Sequence, residues 1–415
     1  MHRFKYRDNL LCCENAAIRD IAKRFGTPFY LYSHKTLTDH YDKIRIAFKS
    51  LNPLICFSVK ANSNLAVLKT LVSRGSGLDI VSGGELYKAL KVGCPSGRIV
   101  YASVGKKTSE IEEAIRRNIF SFNVESEPEL ATINQIAGRL RKRSRVSLRL
   151  NPDVDAMTHK YITTGKSENK FGLDLAKAAG IYRNTRRYPN LNIDGVHIHI
   201  GSQITESLPF VKAIKKTLRF IDSLKVPIKN FNIGGGMGII YSDERPQTAQ
   251  QFAKRIIPLL KGRPFRLILE PGRFIAGNSG ILVTRVIYIK QAFQKKFAIV
   301  DAGMNDLIRP SLYSAYHEIL PVRRQAKAPV NKYDIVGPIC ESGDFLAKDR
   351  RFNRLKTGDL LAVMGAGAYG FTMASNYNSR PRVSEIMVEG RRVCLVRRAE
   401  TYKDLIKGEI LPRGI

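Results

Sequence analysis

Lys60 ends an otherwise apolar run, Cys56-Phe57-Ser58-Val59. A lysine partly withdrawn from water has a lowered pKa and can form a Schiff base with an aldehyde. A lysine after a strand is ordinarily a surface lysine, so Lys60 gains meaning only from its company. His197 and His199 are two residues apart, which on a strand turns both toward one face; two satisfied core histidines would read the same way. Gly234, Gly235 and Gly236 run together before Met237-Gly238 and leave backbone N–H groups free to approach a phosphate, although a glycine triplet is often only a turn. Glu270 and Arg273, in Glu270-Pro-Gly-Arg273, could be a plain ion pair at a helix start. Each has a bland reading alone.

Residues 50–275 alternate short apolar or β-branched runs with amphipathic helical stretches, the pattern of a parallel α/β fold. The runs are Leu54–Val59, Leu78–Val81, Ile99–Ala102, Ile119–Val124, Val146–Leu150, Ile193–Ile200, Lys229–Ile233 and Arg266–Leu269. Ser109 with Glu112 fits a capping box. Ser126 with Glu129 repeats it, with Pro128 in the first helical turn. Eight strand–helix units predict a closed, TIM-like (β/α)8 barrel over residues 30–277. Active sites of such barrels gather at the C-terminal ends of the strands. The polar residues fall there: Lys60-Ala-Asn, Ser82-Gly-Gly-Glu85, Asn123-Val-Glu125-Ser126, Arg149-Leu-Asn151-Pro, His199-Ile-Gly201-Ser202-Gln203, the glycine triplet and Glu270-Pro-Gly-Arg273. Beyond residue 278, strand-like runs (Ile281–Ile289, Phe297–Val300, Tyr333–Val336, Leu360–Met364, Val393–Val396) follow one another without obvious helices. They predict a second, antiparallel β domain, a sandwich or barrel made of residues 278–415 with a contribution from 1–29.

The 415 residues, 44% of them hydrophobic, suffice for two cores. No run approaches the roughly 20 apolar residues of a membrane span, and Met1-His2-Arg3-Phe4-Lys5-Tyr6 lacks the apolar stretch of a signal peptide. A soluble, cytoplasmic protein with no membrane contact is expected. The six cysteines, at 12, 13, 56, 94, 340 and 394, form no C-x-x-C pair and no metal-ligand spacing, so reduced thiols and no metal are expected. Lys and Arg total 69 against 36 acidic residues, a net +33. Such a field could attract nucleic acid, an acidic membrane surface or an anionic substrate. The excess is spread in small clusters (Arg139–Arg145, Arg183–Arg187, Arg323–Lys327, Arg391–Arg398) without a basic tail. It reads as a solvated surface, with nucleic acid not an expected partner.

The segments Phe57-Ser-Val-Lys60-Ala-Asn62, Val196-His-Ile-His199-Ile-Gly-Ser-Gln203, Gly234-Gly-Gly-Met-Gly238, Glu270-Pro-Gly-Arg273 and Val300-Asp-Ala-Gly-Met-Asn-Asp306 form an ordered set with Arg309-Pro-Ser-Leu-Tyr313, Cys340-Glu-Ser-Gly-Asp344, Gly367-Ala-Tyr-Gly370 and Ser375-Asn-Tyr-Asn378. This set resembles the fold-type III pyridoxal-phosphate decarboxylases, which have the two-domain architecture of alanine racemase, and within them the diaminopimelate decarboxylases. The likeness runs from Tyr30-Leu-Tyr-Ser33 to beyond Arg382.

The resemblance implies decarboxylation of meso-2,6-diaminopimelate to L-lysine, the last step of lysine biosynthesis, with Lys60, His199 and Cys340 as the catalytic residues. It implies pyridoxal phosphate carried by Lys60, His199 stacked on its ring and Glu270 paired with the ring nitrogen. Gly234, Gly235, Gly236, Ser202, Gly272, Arg273 and the Tyr369 hydroxyl would hold the phosphate. Arg273, Arg309, Tyr313, Glu341 and Tyr369 would bind the substrate's remote end, and Cys340 would supply the proton that replaces carbon dioxide. Two arginines suit a second carboxylate, and a thiol near its free pKa of about 8.5 keeps its proton at neutral pH. The Cys340-Glu341 loop would complete a neighbouring subunit's site, which implies a homodimer with shared active sites.

Ornithine, arginine or carboxynorspermidine decarboxylation is the alternative within the fold; Glu341 and Arg309 argue against the diamine-type substrates. A non-catalytic nucleic-acid binder would have no use for Lys60, Cys340 and Glu270 together. Arg309 and Tyr313, four apart around Pro310, are expected to leave one loop toward one pocket. Ser58 stands where the family commonly has alanine and Met237 where it has leucine, and neither is expected to touch a charged role.

Overall fold

The computed structural model describes residues 2–155, 171–324, 329–412 and 414; the end of the Arg323–Lys327 cluster lies outside them. Two compact units divide the chain. One is Thr38–Ile240 with Glu244–Ile275; the other is Met1–Leu37, Tyr241–Asp243 and Ala276–Ile415.

The first unit is a closed parallel barrel. Its strands are Leu54–Ser58, Gly77–Ile80, Ile99–Tyr101, Ser121–Val124, Ser144–Leu150, Leu191–Ile198, Asn230–Asn232 and Arg266–Leu269. Ile268 opposite Leu54 and Leu269 opposite Ile55 close the ring. These strands are buried almost throughout, which is why they read as apolar runs rather than as alternations. All eight expected strands are present.

Side-chain caps start the helices that follow the strands. The side chain of Asn64 accepts from Ala66 N, Ser82 from Glu85 N, Ser126 from Glu129 N and Asp174 from Lys177 N. Such caps satisfy donors that the first helical turn leaves orphaned. Val67, Leu68 and Leu71 bury one face of the helix Leu65–Ser73, each contributing about 1.5–3 kcal/mol. The expected Ser109/Glu112 box is absent. The helix Thr108–Arg116 is capped two residues earlier, at Lys107, where Glu110 accepts from Lys107 N at 2.9 Å and Gly83 N at 2.7 Å. Glu112 instead faces Arg116 and Arg139.

The second unit holds a nine-stranded sheet among the described residues. Along its main path lie Phe345–Asn353, Val330–Val336, Lys295–Val300, Gly280–Ala292, Phe29–Ser33, Ser384–Glu389 and Arg392–Arg397. Pairing is mostly antiparallel; Phe29–Ser33 with Ser384–Glu389 and Lys295–Val300 with Val330–Val336 are parallel. Phe29, Leu31, Ile281, Val283, Ile386 and Val388 fill one core cluster, each pair two apart and therefore on one face of the sheet. Phe29–Ser33 thus works in this sheet, although the barrel was expected from residue 30. The edge strand Phe345–Asn353 escaped the sequence reading because Lys348-Asp-Arg-Arg351 interrupts it; a sheet edge tolerates, and is protected by, such charge.

Candidate active site

In the barrel unit the polar strand exits converge on Glu270. It directly follows the last strand, Arg266–Leu269, and is buried. Asn123 Nδ2, from the fourth strand, donates to Glu270 Oε1 at 2.9 Å, and Asn232 Nδ2, from the seventh, donates at 2.5 Å. His197 Nε2, from the sixth, lies 3.2 Å from Oε2 but off the line of a hydrogen bond. Burial alone would raise the Glu270 pKa. The His197 charge, the hydrogen bond from Asn232 and the Lys60 charge outweigh burial and hold the carboxyl below its ordinary range.

Lys60 sits in the short turn Val59–Ala61 after the first strand, its side chain 40% exposed. Its Nζ is 4.0 Å from Oδ2 of Asp79, a buried residue of the second strand. Burial, then the Glu270 charge, push the Asp79 pKa up; Lys60 and the Ser58 hydrogen bond pull it down; the balance leaves it at about 8. Ser58 therefore does touch an ionisable group, contrary to expectation. Its Oγ stands 2.7 Å from Asp79 Oδ2 and 3.0 Å from the Glu270 carbonyl oxygen. A hydroxyl has one proton to donate, so both contacts are hydrogen bonds only when Asp79 carries a proton. That agrees with its raised pKa.

His199 is partly exposed by accessible surface yet densely surrounded. Desolvation, followed by the Lys60 and Arg149 charges, pushes its pKa well below the usual value. Gly235 N–H donates to His199 Nδ1 at 3.3 Å, so the neutral ring carries its proton on Nε2. Arg149 is held by Glu125 at 2.7 Å, a buried pair at the fifth strand's exit.

The glycine triplet is shaped by crowding. Gly234 and Gly236 have φ of +71° and +105°, and a Cβ on Gly235 would lie 2.1 Å from the Glu270 carbonyl oxygen. No larger residue fits that approach. Two of its N–H groups are engaged within the protein, Gly234 with Asn232 Oδ1 at 2.9 Å and Gly235 with His199. Arg273 opens the short helix Arg273–Ala276 and donates to Ser202 Oγ from Nε at 3.2 Å and Nη2 at 3.0 Å. A Cβ on Gly272 would sit 3.0 Å from Ser58 Cβ. Lys60, His199, Ser202, Gly234–Gly236, Glu270, Gly272 and Arg273 thus share one end of the barrel.

This donor set fits pyridoxal phosphate. Buried polar atoms without a hydrogen-bond partner cluster there: Asp79 Oδ1, Asn123 Oδ1 and both ring nitrogens of His197. Native interiors rarely leave such atoms unsatisfied unless a ligand or water meets them. An ionised buried carboxylate suits a protonated ring nitrogen, and the half-buried Lys60 amine at the same end of the barrel suits an aldehyde.

The other expected residues lie in the second unit. Arg309 and Tyr313 occupy one helical turn, Arg309–Tyr313, rather than a loop; at four residues apart they share a face. Arg309 Cζ stands 4.7 Å from the Tyr241 ring centroid. The Ser311 hydroxyl donates to Gly343 O at 2.6 Å, tying this turn to the loop that carries exposed Cys340 and Glu341. Asp344 braces that loop by accepting from Ile339 N and Met304 N, both at 2.6 Å. Cys340 N–H donates to Asn378 Oδ1 at 3.1 Å, and Glu341 Oε2 accepts from the Tyr377 hydroxyl at 2.8 Å. Among the described residues no ion pair joins Arg309 to Glu341. Tyr369 is partly buried, at φ +56°.

Sequence reading missed Asp79, Asn232 and the partnership of Asn123 and His197 with Glu270. The signal was available in Gly77-Leu-Asp79-Ile80 and Asn230-Phe-Asn232, where a polar side chain breaks a strand that a closed barrel must bury.

Residues 35–277 match the family described as pyridoxal-dependent decarboxylase, pyridoxal binding domain. The diaminopimelate decarboxylase of Vibrio cholerae is 48% identical over 411 residues, 98% of either chain, and that of Aquifex aeolicus 47% identical over 407 residues, 97% of this chain and 96% of its own. Among solved structures, diaminopimelate decarboxylase from Helicobacter pylori complexed with L-lysine superposes with a TM-score of 0.91 at 41% identity, over 94% of this chain and 98% of that one. The M. jannaschii diaminopimelate decarboxylase gives a TM-score of 0.94 at 37% identity, over 99% and 98%. A match that runs the length of both chains, at close to half identity and on the same fold, leaves one conclusion: the chain belongs to the diaminopimelate decarboxylases, a branch of the pyridoxal-dependent decarboxylases.

Proposed function

We infer that the chain decarboxylates meso-2,6-diaminopimelate, releasing carbon dioxide and leaving L-lysine, with pyridoxal phosphate carried by Lys60. The observation that carries this reading is the buried Glu270 carboxylate, held ionised by neighbours from three other strands at the barrel end where Lys60 also emerges. Bound pyridoxal phosphate supplies a conjugated sink for the electron pair left behind by carbon dioxide. The rest belongs to the chain's own residues. Glu270 would keep a proton on the ring nitrogen by a charge-assisted hydrogen bond, and Asn123 and Asn232 fix the orientation of its carboxylate. Lys60 Nζ would hold the cofactor. Asp79, 4.0 Å away, holds or returns a proton as that amine changes charge. Neutral His199 offers a flat ring face without adding a cation. Ser202, Arg273, Gly272, the glycine triplet and the Tyr369 hydroxyl hold the phosphate.

Arg309 and Arg273, with Tyr313, Glu341 and Tyr369, read the remote end of the substrate: carboxylate toward guanidinium, ammonium toward glutamate. Cys340 gives its thiol proton to the carbon that lost carbon dioxide. Ornithine and arginine lack the remote carboxylate that these arginines would bind. The test is carbon dioxide release from the holoenzyme with meso-diaminopimelate, ornithine and arginine supplied separately. Turnover confined to diaminopimelate is expected; faster release from either rival would replace this reading with the alternative.

The enzyme is a homodimer with shared active sites, and it works in the cytoplasm. The exposed Cys340-Glu341 loop supports the first statement, and free thiols at every cysteine the second. No helix among the described residues is long and apolar enough to cross a membrane. Lys60→Ala and Cys340→Ala chains should each be nearly inactive alone. Mixed after verified subunit exchange, they should regain up to about a quarter of wild-type activity, since a closed twofold interface gives each hybrid one site with both residues intact. No recovery would mean that Cys340 serves its own chain.

A further inference from the structure

His317 follows the turn Arg309–Tyr313 by four residues and is completely buried. Its two ring nitrogens face partners of opposite character. Nδ1 lies 2.7 Å from the Met364 carbonyl oxygen, which can only accept. Nε2 lies 2.9 Å from Arg309 Nη1, which can only donate. One protonation state satisfies both contacts: a neutral imidazole with its proton on Nδ1 and its lone pair aimed at the guanidinium. Tyr241 completes the group, its ring edge-on to His317 at 5.4 Å and 4.7 Å from Arg309 Cζ. Arg350 approaches only the His317 backbone, donating to its carbonyl oxygen at 3.3 Å.

Such a seat restricts a side chain that is otherwise rich in rotamers. The Tyr241 face limits the plane of the guanidinium, and the His317 lone pair limits its rotation within that plane. The choice of imidazole matters chemically. An aspartate there would orient Arg309 equally well but would neutralise it and compete with an incoming anion. His317 supplies a hydrogen bond and no charge.

We propose that His317 is a positioning residue that sets the Arg309 guanidinium, and through it the enzyme's affinity for the carboxylate at the remote end of the substrate. The proposal rests on the assignment of Arg309 to that carboxylate. Its consequence is a division between ligands. L-Lysine, the product, retains only the remote carboxylate, because the reacting one has left as carbon dioxide. Cadaverine retains neither. The ratio of their inhibition constants therefore reads the remote-carboxylate contact alone, and a general loss of folding or cofactor would move both together.

Two substitutions separate the two edges of the ring. In His317→Asn the amide reaches the place of Nδ1 and can still donate to Met364 O, but offers Arg309 nothing. In His317→Gln the amide oxygen reaches the place of Nε2 and restores the acceptor. With the holoenzyme, the Asn variant should raise the KM for diaminopimelate and weaken lysine inhibition, each by about tenfold or more, as loss of a hydrogen bond to a charged group implies. Cadaverine inhibition and kcat should stay within a few-fold. The Gln variant should return the lysine-to-cadaverine ratio to within a few-fold of wild type.

Arg309→Ala, measured alongside, tells the two possible failures apart. An unchanged ratio in Arg309→Ala would refute the role of Arg309 itself. A collapsed ratio in Arg309→Ala but a wild-type ratio in His317→Asn would overturn the role of His317. Should the Asn variant not fold, the Gln variant still decides, because a ratio as low as that of Arg309→Ala with the acceptor restored overturns the assignment.

Discussion

Glu270→Gln is expected to keep its cofactor and lose on the order of 10²–10³ in kcat, the scale on which a pre-aligned electrostatic partner of a developing charge acts. The substitution is nearly isosteric, and its amide oxygen can take the place of Oε1 opposite Asn123 and Asn232. The amide nitrogen then stands where Oε2 faces His197. It donates where a carboxylate accepted, so it cannot hold a proton on the ring nitrogen, and the sink for the departing electron pair becomes shallower. The absorbance of the bound cofactor should change with it, which separates loss of protonation from loss of binding. A second readout comes from pH. The folded-state pKa of Glu270 is depressed, so its ionic contribution to stability is present above the unfolded value of about 4.3 and is lost as pH falls through the lower folded value. The variant should lack that part of the acid-side loss of stability. A kcat within a few-fold of wild type, with cofactor stoichiometrically bound, would make Glu270 a structural acid only.

The sequence displays the barrel more openly than it displays the site. Strands that must be buried on both faces announce themselves where the run is largely apolar, as in Leu54–Ser58 and Ile99–Tyr101, which are buried throughout. Residues that carry chemistry at the strand exits are equally legible, since a half-buried Lys60 or a glycine triplet after such a strand has little folding purpose. What stays hidden is partnership. Asn123 and Asn232 are 109 positions apart in sequence and meet on one carboxylate oxygen only because the barrel closes. Asp79 sits in a four-residue strand where a polar residue weakens the pattern, and its value depends on a lysine 19 positions earlier. Ser58 reads as an innocuous replacement of alanine until the Asp79 contact is seen. The second unit is less legible for a different reason. Its sheet borrows Phe29–Ser33 from the far end of the chain and pairs it in parallel with Ser384–Glu389, a long-range closure that no local pattern encodes. The +33 charge remains spread over both units without a structural explanation.

Arg309→Ala should produce the largest change in specificity. In the wild-type chain the guanidinium is buried, seated against Tyr241 and bonded to His317. A cation held that way meets a carboxylate bidentately. Truncating it leaves the substrate carboxylate desolvated without its partner, which costs about 2–5 kcal/mol for a buried charge pair. The KM for diaminopimelate and the inhibition constant of lysine should both rise by the corresponding factor, while cadaverine, which has no carboxylate, should bind as before. Arg309→Lys should recover only part of the loss, because an ammonium keeps the charge but neither the planar fork nor the flat face that stacks on Tyr241. Stability will fall as well, since His317 Nε2 loses its donor inside the protein, so thermal midpoints must accompany the constants. The fall in stability moves every ligand together; the loss of the carboxylate contact moves only those that bear one. If lysine and cadaverine weaken by the same factor, Arg309 holds the fold rather than the substrate, and specificity for the remote carboxylate must be sought at Arg273.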